Sequence, residues 1–257
     1  MEYKVSIITA SYNCEKYIAN TIQSVQAQTY QNWEMIIVDD CSKDKTCEIV
    51  EKFSSADSRI RLLRQSIHTG TGPARTRSMW ASTGRFIAYL DADDIWKLNK
   101  LERQVQFMLH NGYAFTCSSY EIIDDAGNKM GKEIHMLPKV DYIGFLKNNL
   151  IQTVGIMVDT EKVDKELLVM PNLKRRQDAA TWLQILRAEY YCYGLDEVLA
   201  EYRRRKNSLS SNKVKAAIGV WKLYREVEHL PFLFSCYCFV RYAILAVWKR
   251  CYFRKHK

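Results

Sequence analysis

Phe86-Ile87-Ala88-Tyr89-Leu90-Asp91-Ala92-Asp93-Asp94-Ile95-Trp96 is the stretch on which the reading of this chain turns. Its first five residues are apolar without a break, the pattern of a strand buried on both faces of a parallel sheet. Three carboxylates follow within four positions. In open α/β sheets, ligands bind in the crevice beyond the carboxyl ends of the strands. Acids packed this closely repel one another unless a cation holds them. Oxygen ligands of this kind suit Mg2+ or Mn2+, with substrate phosphates completing the shell. The same residues also fit an acidic turn that caps the next helix, since Asp is a good N-cap.

Outward from this stretch, strand-like and helix-like segments alternate. Residues 5–10 read as a strand, and 15–28 as a helix with Ile18, Ile22 and Val25 on one face. Residues 33–38 read as a second strand ending at Asp39-Asp40, and 42–44 as the cap of a helix carrying Ile49, Val50 and Phe53. A third strand is expected at 59–63. The turn Thr69-Gly70-Thr71-Gly72-Pro73 then leads into a helix over 74–82. Such alternation predicts an α/β fold, Rossmann-like, with a mostly parallel sheet and flanking helices. Beyond it, 113–123 and 130–136 read as a hairpin, 148–158 as a loop with a short strand, and 177–188 as a helix with Trp182, Ile185 and Leu186 apolar. The segment 212–228 has an amphipathic stripe of Val214, Ile218, Trp221 and Tyr224. The expected division is a domain over 1–210, with halves 1–112 and 113–210, and a helical extension over 211–257.

With 47% apolar residues and 12% aromatics, 257 residues can bury a sizeable core. The eight cysteines are scattered without a CxxC pair, which argues against a zinc site and for reduced thiols in the cytoplasm. Met1-Glu2-Tyr3-Lys4 runs straight into the first strand, so no signal peptide is expected. The net charge of +9 is uneven: residues 201–257 hold 14 Lys and Arg against three Glu, which leaves the first 200 residues near neutral. A basic tail suggests an anionic partner, nucleic acid or membrane.

Several residues suggest chemistry individually. A carboxylate of Asp39-Asp40 fits the imide N–H of a nucleobase, on which Tyr12 would stack; loop hydrogen bonds and packing on the sheet rim fit equally well. The glycines of His68-Thr69-Gly70-Thr71-Gly72 allow close backbone approach to an anion, and Arg75 reaches a phosphate bidentately. The segment is neither a Walker A loop nor a dinucleotide fingerprint.

Taken in order, Val5-Ser6-Ile7-Ile8-Thr9-Ala10-Ser11-Tyr12-Asn13, Ile36-Ile37-Val38-Asp39-Asp40-Cys41-Ser42, the Gly70…Ala74-Arg75 spacing and Leu90-Asp91-Ala92-Asp93-Asp94 resemble the family-2 glycosyltransferases of the GT-A fold. Arg176-Gln177-Asp178 and Glu201-Tyr202-Arg203…Ser208 resemble that family's catalytic-Asp and C-terminal loop segments. The chain is most similar to members that assemble teichuronic acid and capsular polysaccharide in bacteria. The resemblance implies an inverting, metal-dependent transferase with a nucleotide-sugar donor, most often a UDP-sugar, and a saccharide or undecaprenyl-linked acceptor. It places Tyr12 and Asp40 on the base, and Ala10 where some members carry a polar base contact. His68 stands where many members have Asn. Arg75 faces base or diphosphate; Asp91, Asp93 and Asp94 form the DxD region, with Asp93 and Asp94 expected to serve ribose and metal. Asp178 is the expected catalytic base, although its neighbour is Gln177 where many members have Glu. Arg203 is singled out of the basic run as a donor-diphosphate contact. The cofactor implied is Mn2+ or Mg2+.

A nucleic-acid-binding module would leave the strand-end acids unexplained, so no nucleic-acid partner is expected. A metal-dependent nucleotidyltransferase is the other alternative; it would release pyrophosphate rather than a nucleoside diphosphate. The segment 231–248 is apolar, but Arg241 near its middle makes insertion across a bilayer costly, about 2.5–3.5 kcal/mol. The expectation is therefore a helix lying on an anionic membrane surface, at the inner face of the cell membrane. Packing on the catalytic domain and a contact between copies of the chain are the alternatives.

Overall fold

The computed structural model describes residues 3–205 and 213–253. Strands β1 (Val5–Ser11), β2 (Trp33–Asp39), β3 (Ile60–Arg64) and β4 (Phe86–Tyr89) form the parallel half of the sheet. Helices α1 (Ile18–Gln26), α2 (Thr46–Ala56) and α3 (Thr71–Trp80) connect them. The strand order β3-β2-β1-β4 means that the chain winds outward from β1, then returns to its other side. The reversal creates a crevice at the carboxyl ends of β1 and β4, the place where open α/β sheets take ligands.

The second half adds β5 (Ile95–Trp96), α4 (Lys100–Asn111), β6 (Phe115–Ile123), β7 (Lys129–Ile134), β8 (Lys139–Val140), α5 (Tyr142–Lys147), β9 (Ile156–Asp159), α6 (Gln177–Arg187) and β10 (Cys192–Arg203). The sheet continues β4-β9-β6-β10-β5. Strand β9 runs antiparallel to both β4 and β6, while β10 is parallel to β6. The sheet is thus mixed, with its purely parallel part in the first hundred residues. Two antiparallel steps restore direction, so β1, β2, β4, β6 and β10 all end on the same edge.

Successive side chains leave a strand on opposite faces. Ile8, Ile87 and Tyr89 therefore join one core layer with Met79, Trp182 and Leu186. Ile7, Phe86, Ala88 and Leu90 join the other with Ile22, Val50 and Val105. Helices α1, α2 and α4 cover the second face; α3, α5 and α6 cover the first.

Helices α7 (Lys213–Lys222) and α8 (Phe232–Phe253) follow, joined by a π-helical turn at Leu223–Val227. The boundary expected at 210/211 lies outside the described residues, as do Lys206, Ser208, Arg254, Lys255 and Lys257. The extension is not a detached appendage, because Val220, Leu223, Tyr224, Leu230 and Cys238 belong to the same core as α5 and α6. One stripe of α8 remains uncovered: Leu233, Tyr237, Val240 and Ile244 are exposed at helical spacing, and Leu233 is 80% exposed. Among the described residues, no helix is long and apolar enough to cross a membrane.

Candidate active site

The shared edge gathers most of the residues singled out above. Registers Ser11↔Asp39 and Ile8↔Tyr89 bring the loops after β1, β2 and β4 together. Asp39 ties two of these loops: its carboxylate accepts from the Ser11 hydroxyl at 3.0 Å and from the Ser42 amide at 2.9 Å.

Asp40 is buried and fully engaged. Its Oδ1 accepts from the Thr69 amide (2.8 Å) and Gln65 Nε2 (2.7 Å); its Oδ2 accepts from the Gly70 amide (2.7 Å) and faces His68 Nδ1 (2.9 Å). Those four partners fill the lone-pair positions of a carboxylate. Asp40 is therefore first a clamp on the glycine turn, the loop role that its sequence also fitted. The turn needs its glycines. Gly70 has φ +96°, in the left-handed region, and a Cβ on Gly72 would stand 2.8 Å from the Pro171 carbonyl. Tyr12 projects from the β1 end, half-exposed, with its ring 4.4 Å from that of His68. Ala10 lies inside β1, opposite Val38, and supplies no polar group.

Arg75, on α3, is buried and forms an ion pair with Asp91. Burial works against its charge, but Asp91 and Asp178 lie close enough to raise its pKa above the usual value. Its Nε has no hydrogen-bond partner. Asp178 stands in the first turn of α6, with Thr153 Oγ1 3.4 Å from its Oδ2. Trp182 lies one turn further along α6, against Tyr89 with centroids 5.2 Å apart and against Phe115. Residues i and i+4 share a helix face. The buried Trp182 thus turns Asp178 toward the sheet edge. Arg175 and Arg176 precede the helix, and Arg176 donates to the Tyr242 hydroxyl of α8 at 3.1 Å.

Asp93 and Asp94 form the acidic centre. Burial pushes the Asp93 carboxyl up to about 6, with Arg205 opposing and Asp91 adding to the shift. Burial also raises Asp94 well above the carboxylate range, and repulsion from Asp93 and Asp91 adds to it. Asp94 Oδ1 accepts from the Arg203 amide at 2.8 Å, but its Oδ2 is buried without any partner. An orphaned carboxyl oxygen beside a second, half-buried carboxyl fits a divalent cation that would displace the proton. Among the described residues no set of three or more His, Cys, Asp or Glu converges as a metal site. Two carboxylates with substrate phosphates match Mg2+-type binding better than a closed protein cage does.

Arg203 sits differently from what the resemblance to a loop segment suggested. Glu201, Tyr202 and Arg203 are the end of β10 rather than a loop. The Arg203 side chain is buried, its Nε donating to the Asp93 carbonyl at 2.8 Å and its Nη1 to the Asp124 and Asp125 carbonyls at 3.2 Å. Spent on three carbonyls, it braces the acidic turn. Arg205 stands free of the strand instead, with Nε 2.7 Å from Asp93 Oδ2.

Residues 6–163 match the sequence profile described as Glycosyl transferase family 2. The chain belongs to that family. The glycosyltransferase is 43% identical to a relative named "Putative teichuronic acid biosynthesis glycosyltransferase TuaG" from Bacillus subtilis, over 96% of this chain and 97% of the relative. It is 35% identical to the Escherichia coli "UDP-Glc:alpha-D-GlcNAc-diphosphoundecaprenol beta-1,3-glucosyltransferase WfgD", over 98% and 96%. Among solved structures, S. aureus TarS 1-349 in complex with UDP-GlcNAc gives a TM-score of 0.71 at 20% identity, covering 87% of this chain and 65% of that one. The mannosyltransferase PcManGT from Pyrobaculum calidifontis, in complex with GDP-Man and Mn2+, gives 0.69 at 15% identity, covering 90% and 66%. The chain spans about two thirds of those two solved chains, and at such identities the likeness shows the fold alone. That fold is GT-A-like: a central mixed sheet with flanking helices, as the sequence resemblance implied.

Proposed function

We propose that this glycosyltransferase moves a sugar, with inversion, from a UDP-sugar to a hydroxyl of a saccharide on an undecaprenyl diphosphate, at the inner face of a bacterial membrane. The observation that carries the reading is the meeting of half-buried Asp93 and buried Asp94 with the Asp91–Arg75–Asp178 group at one sheet edge. The name of the Escherichia coli relative, with UDP-Glc as donor and a diphosphoundecaprenol acceptor, supports the substrate class.

Tyr12 carries the base, and Asp40 meets its imide N–H. Asp91 and Asp93 face the donor's ribose, with the unpartnered Nε of Arg75 directed at the donor's anionic part. Asp93 and Asp94 would hold Mn2+ or Mg2+, which would supply Lewis-acid stabilisation of the departing diphosphate. Arg205 adds positive charge there, while Arg203 keeps the acidic turn in place. Asp178 takes the proton of the attacking acceptor hydroxyl. The test is incubation with a panel of nucleotide sugars, Mn2+ and a lipid-linked acceptor. Release of UDP is expected; release of pyrophosphate would favour a nucleotidyltransferase instead.

The exposed stripe of Leu233, Tyr237, Val240 and Ile244 is read as the membrane-facing side of α8, with exposed Arg241 and the basic surplus of residues 201–257 meeting anionic headgroups. Removing α8 would also strip Cys238 from the core, so point changes are the cleaner probe. The full chain is expected to sediment with phosphatidylglycerol vesicles, and the Leu233→Glu, Val240→Glu double variant to stay in solution. Equal sedimentation of both would leave the stripe to a contact between copies of the chain.

A further inference from the structure

The base seat just assigned already holds a ring. His68 lies against Tyr12 with centroids 4.4 Å apart and planes inclined by 37°. Its Nδ1 is 2.9 Å from Asp40 Oδ2 and 3.0 Å from the Asp40 carbonyl. Both neighbours are acceptors, so Nδ1 carries the hydrogen and donates. A planar ring on Tyr12 with an N–H aimed at Asp40 repeats both contacts assigned to the nucleobase.

The other partners of Asp40 are not replaceable on these terms. The Thr69 and Gly70 amides belong to the backbone of the glycine turn, and Gln65 Nε2 is shared between Asp40 and Thr69 Oγ1 at 2.7 and 2.8 Å. His68 differs: its side chain is 55% exposed, so it can leave for solvent without opening the core. A base that displaced it would inherit its place on Tyr12 and one lone-pair position of Asp40.

We propose that His68 fills the nucleobase seat of the donor-free enzyme and swings out as the base enters, so that this residue sets the donor's apparent affinity. The proposal rests on the reading of Tyr12 and Asp40 as the base seat. A ligand that binds only the open fraction of a site loses affinity by that fraction, so a seat filled about nine-tenths of the time weakens binding roughly tenfold. On that reading the diphosphate end of the donor lies outside this seat, so pyrophosphate binding is expected to be insensitive to it.

The experiment is calorimetric titration of the full chain with UDP and with pyrophosphate, both with Mn2+ present, for wild type, His68→Ala, His68→Phe and Tyr12→Ala. His68→Ala is expected to bind UDP roughly tenfold more tightly and pyrophosphate unchanged. His68→Phe keeps a ring on Tyr12 but lacks the N–H, and is expected to fall between wild type and His68→Ala. A purely structural role in the turn would move UDP and pyrophosphate together. The proposal is overturned if His68→Ala binds UDP no more tightly than wild type. If Tyr12→Ala nevertheless weakens UDP, the base-seat reading survives and only the gating role falls; if Tyr12→Ala is also silent, both fall.

Discussion

Asp178→Asn is expected to abolish glycosyl transfer while leaving UDP affinity unchanged. Asparagine has the shape of aspartate, so the first turn of α6 and the contact with Thr153 survive the change. Trp182 continues to hold the helix against Tyr89. The lost property is the ability to accept a proton from the acceptor hydroxyl, worth roughly 10²–10⁴-fold in rate for a positioned general base. Arg75 loses one of its two acidic neighbours but keeps its ion pair with Asp91, so the donor side stays charged as before. Single-turnover UDP release and calorimetry on the same variant check the two halves separately. Wild-type turnover would remove Asp178 from the mechanism. The search would then move to Asp125, whose carboxylate meets the Tyr17 hydroxyl at 2.7 Å beside Arg203. Asp159 is no substitute. Both its oxygens are held by Arg85, at 3.0 and 2.7 Å, and β9 runs the other way, which puts Asp159 on the far edge of the sheet.

The parts of the site on parallel strands were legible because their physics is local. Strands buried on both faces must be apolar runs, so β1, β2 and β4 stood out, and the acids at their ends were placed at the sheet edge, although their roles as ligand contacts or loop clamps were not legible. Strand β10 was not read. Its twelve residues mix Asp196, Glu197, Glu201 and Arg203 with apolar positions, and its register against β6 shifts between Leu195 and Val198 and again before Ala200. Such irregularity breaks the two-residue alternation on which a strand assignment depends. Helix α4 is a different case: Leu101, Val105 and Met108 have helical spacing and are buried, so the signal was present. The choice between Arg203 and Arg205 was beyond the sequence. Both lie on one side of the extended chain. Only the distance past the strand end makes one a brace for carbonyls and the other a partner of Asp93. The covering of one α8 face by the core likewise depends on contacts with α5, α7 and the π-helical turn that no local pattern announces.

Asp94→Asn is expected to destroy metal-dependent donor binding and, at the same time, to stabilise the metal-free protein at neutral and alkaline pH. The first effect follows from the orphaned Oδ2. An amide group there cannot supply the anionic ligand that a divalent cation takes, and Asp93 alone remains, already paired with Arg205. Affinity for UDP with Mn2+ should fall by more than about 10–100-fold, the loss that removal of even an outer partner of a metal ligand produces. The backbone is spared, because asparagine Oδ1 still accepts from the Arg203 amide. The second effect follows from the sign of the pKa shifts. Burial raises both carboxyls, Asp93 to about 6 and Asp94 further, with repulsion from Asp91 adding to each and Asp93 adding to Asp94, so the folded protein keeps protons that the unfolded chain has released. Stability from this pair is complete below the unfolded carboxylate pKa and is lost as pH rises through the folded values. The neutral amide escapes that loss. Thermal unfolding without metal should therefore show Asp94→Asn gaining on wild type as pH is raised from about 5 to about 8. Mn2+ with UDP should recover the deficit for wild type alone. Full transfer activity of the wild-type enzyme in excess chelator would sink the metal reading. A variant that melts below wild type at alkaline pH would show that the Asp93–Asp94 repulsion is relieved within the folded protein, with Arg205 the neighbouring charge able to do it.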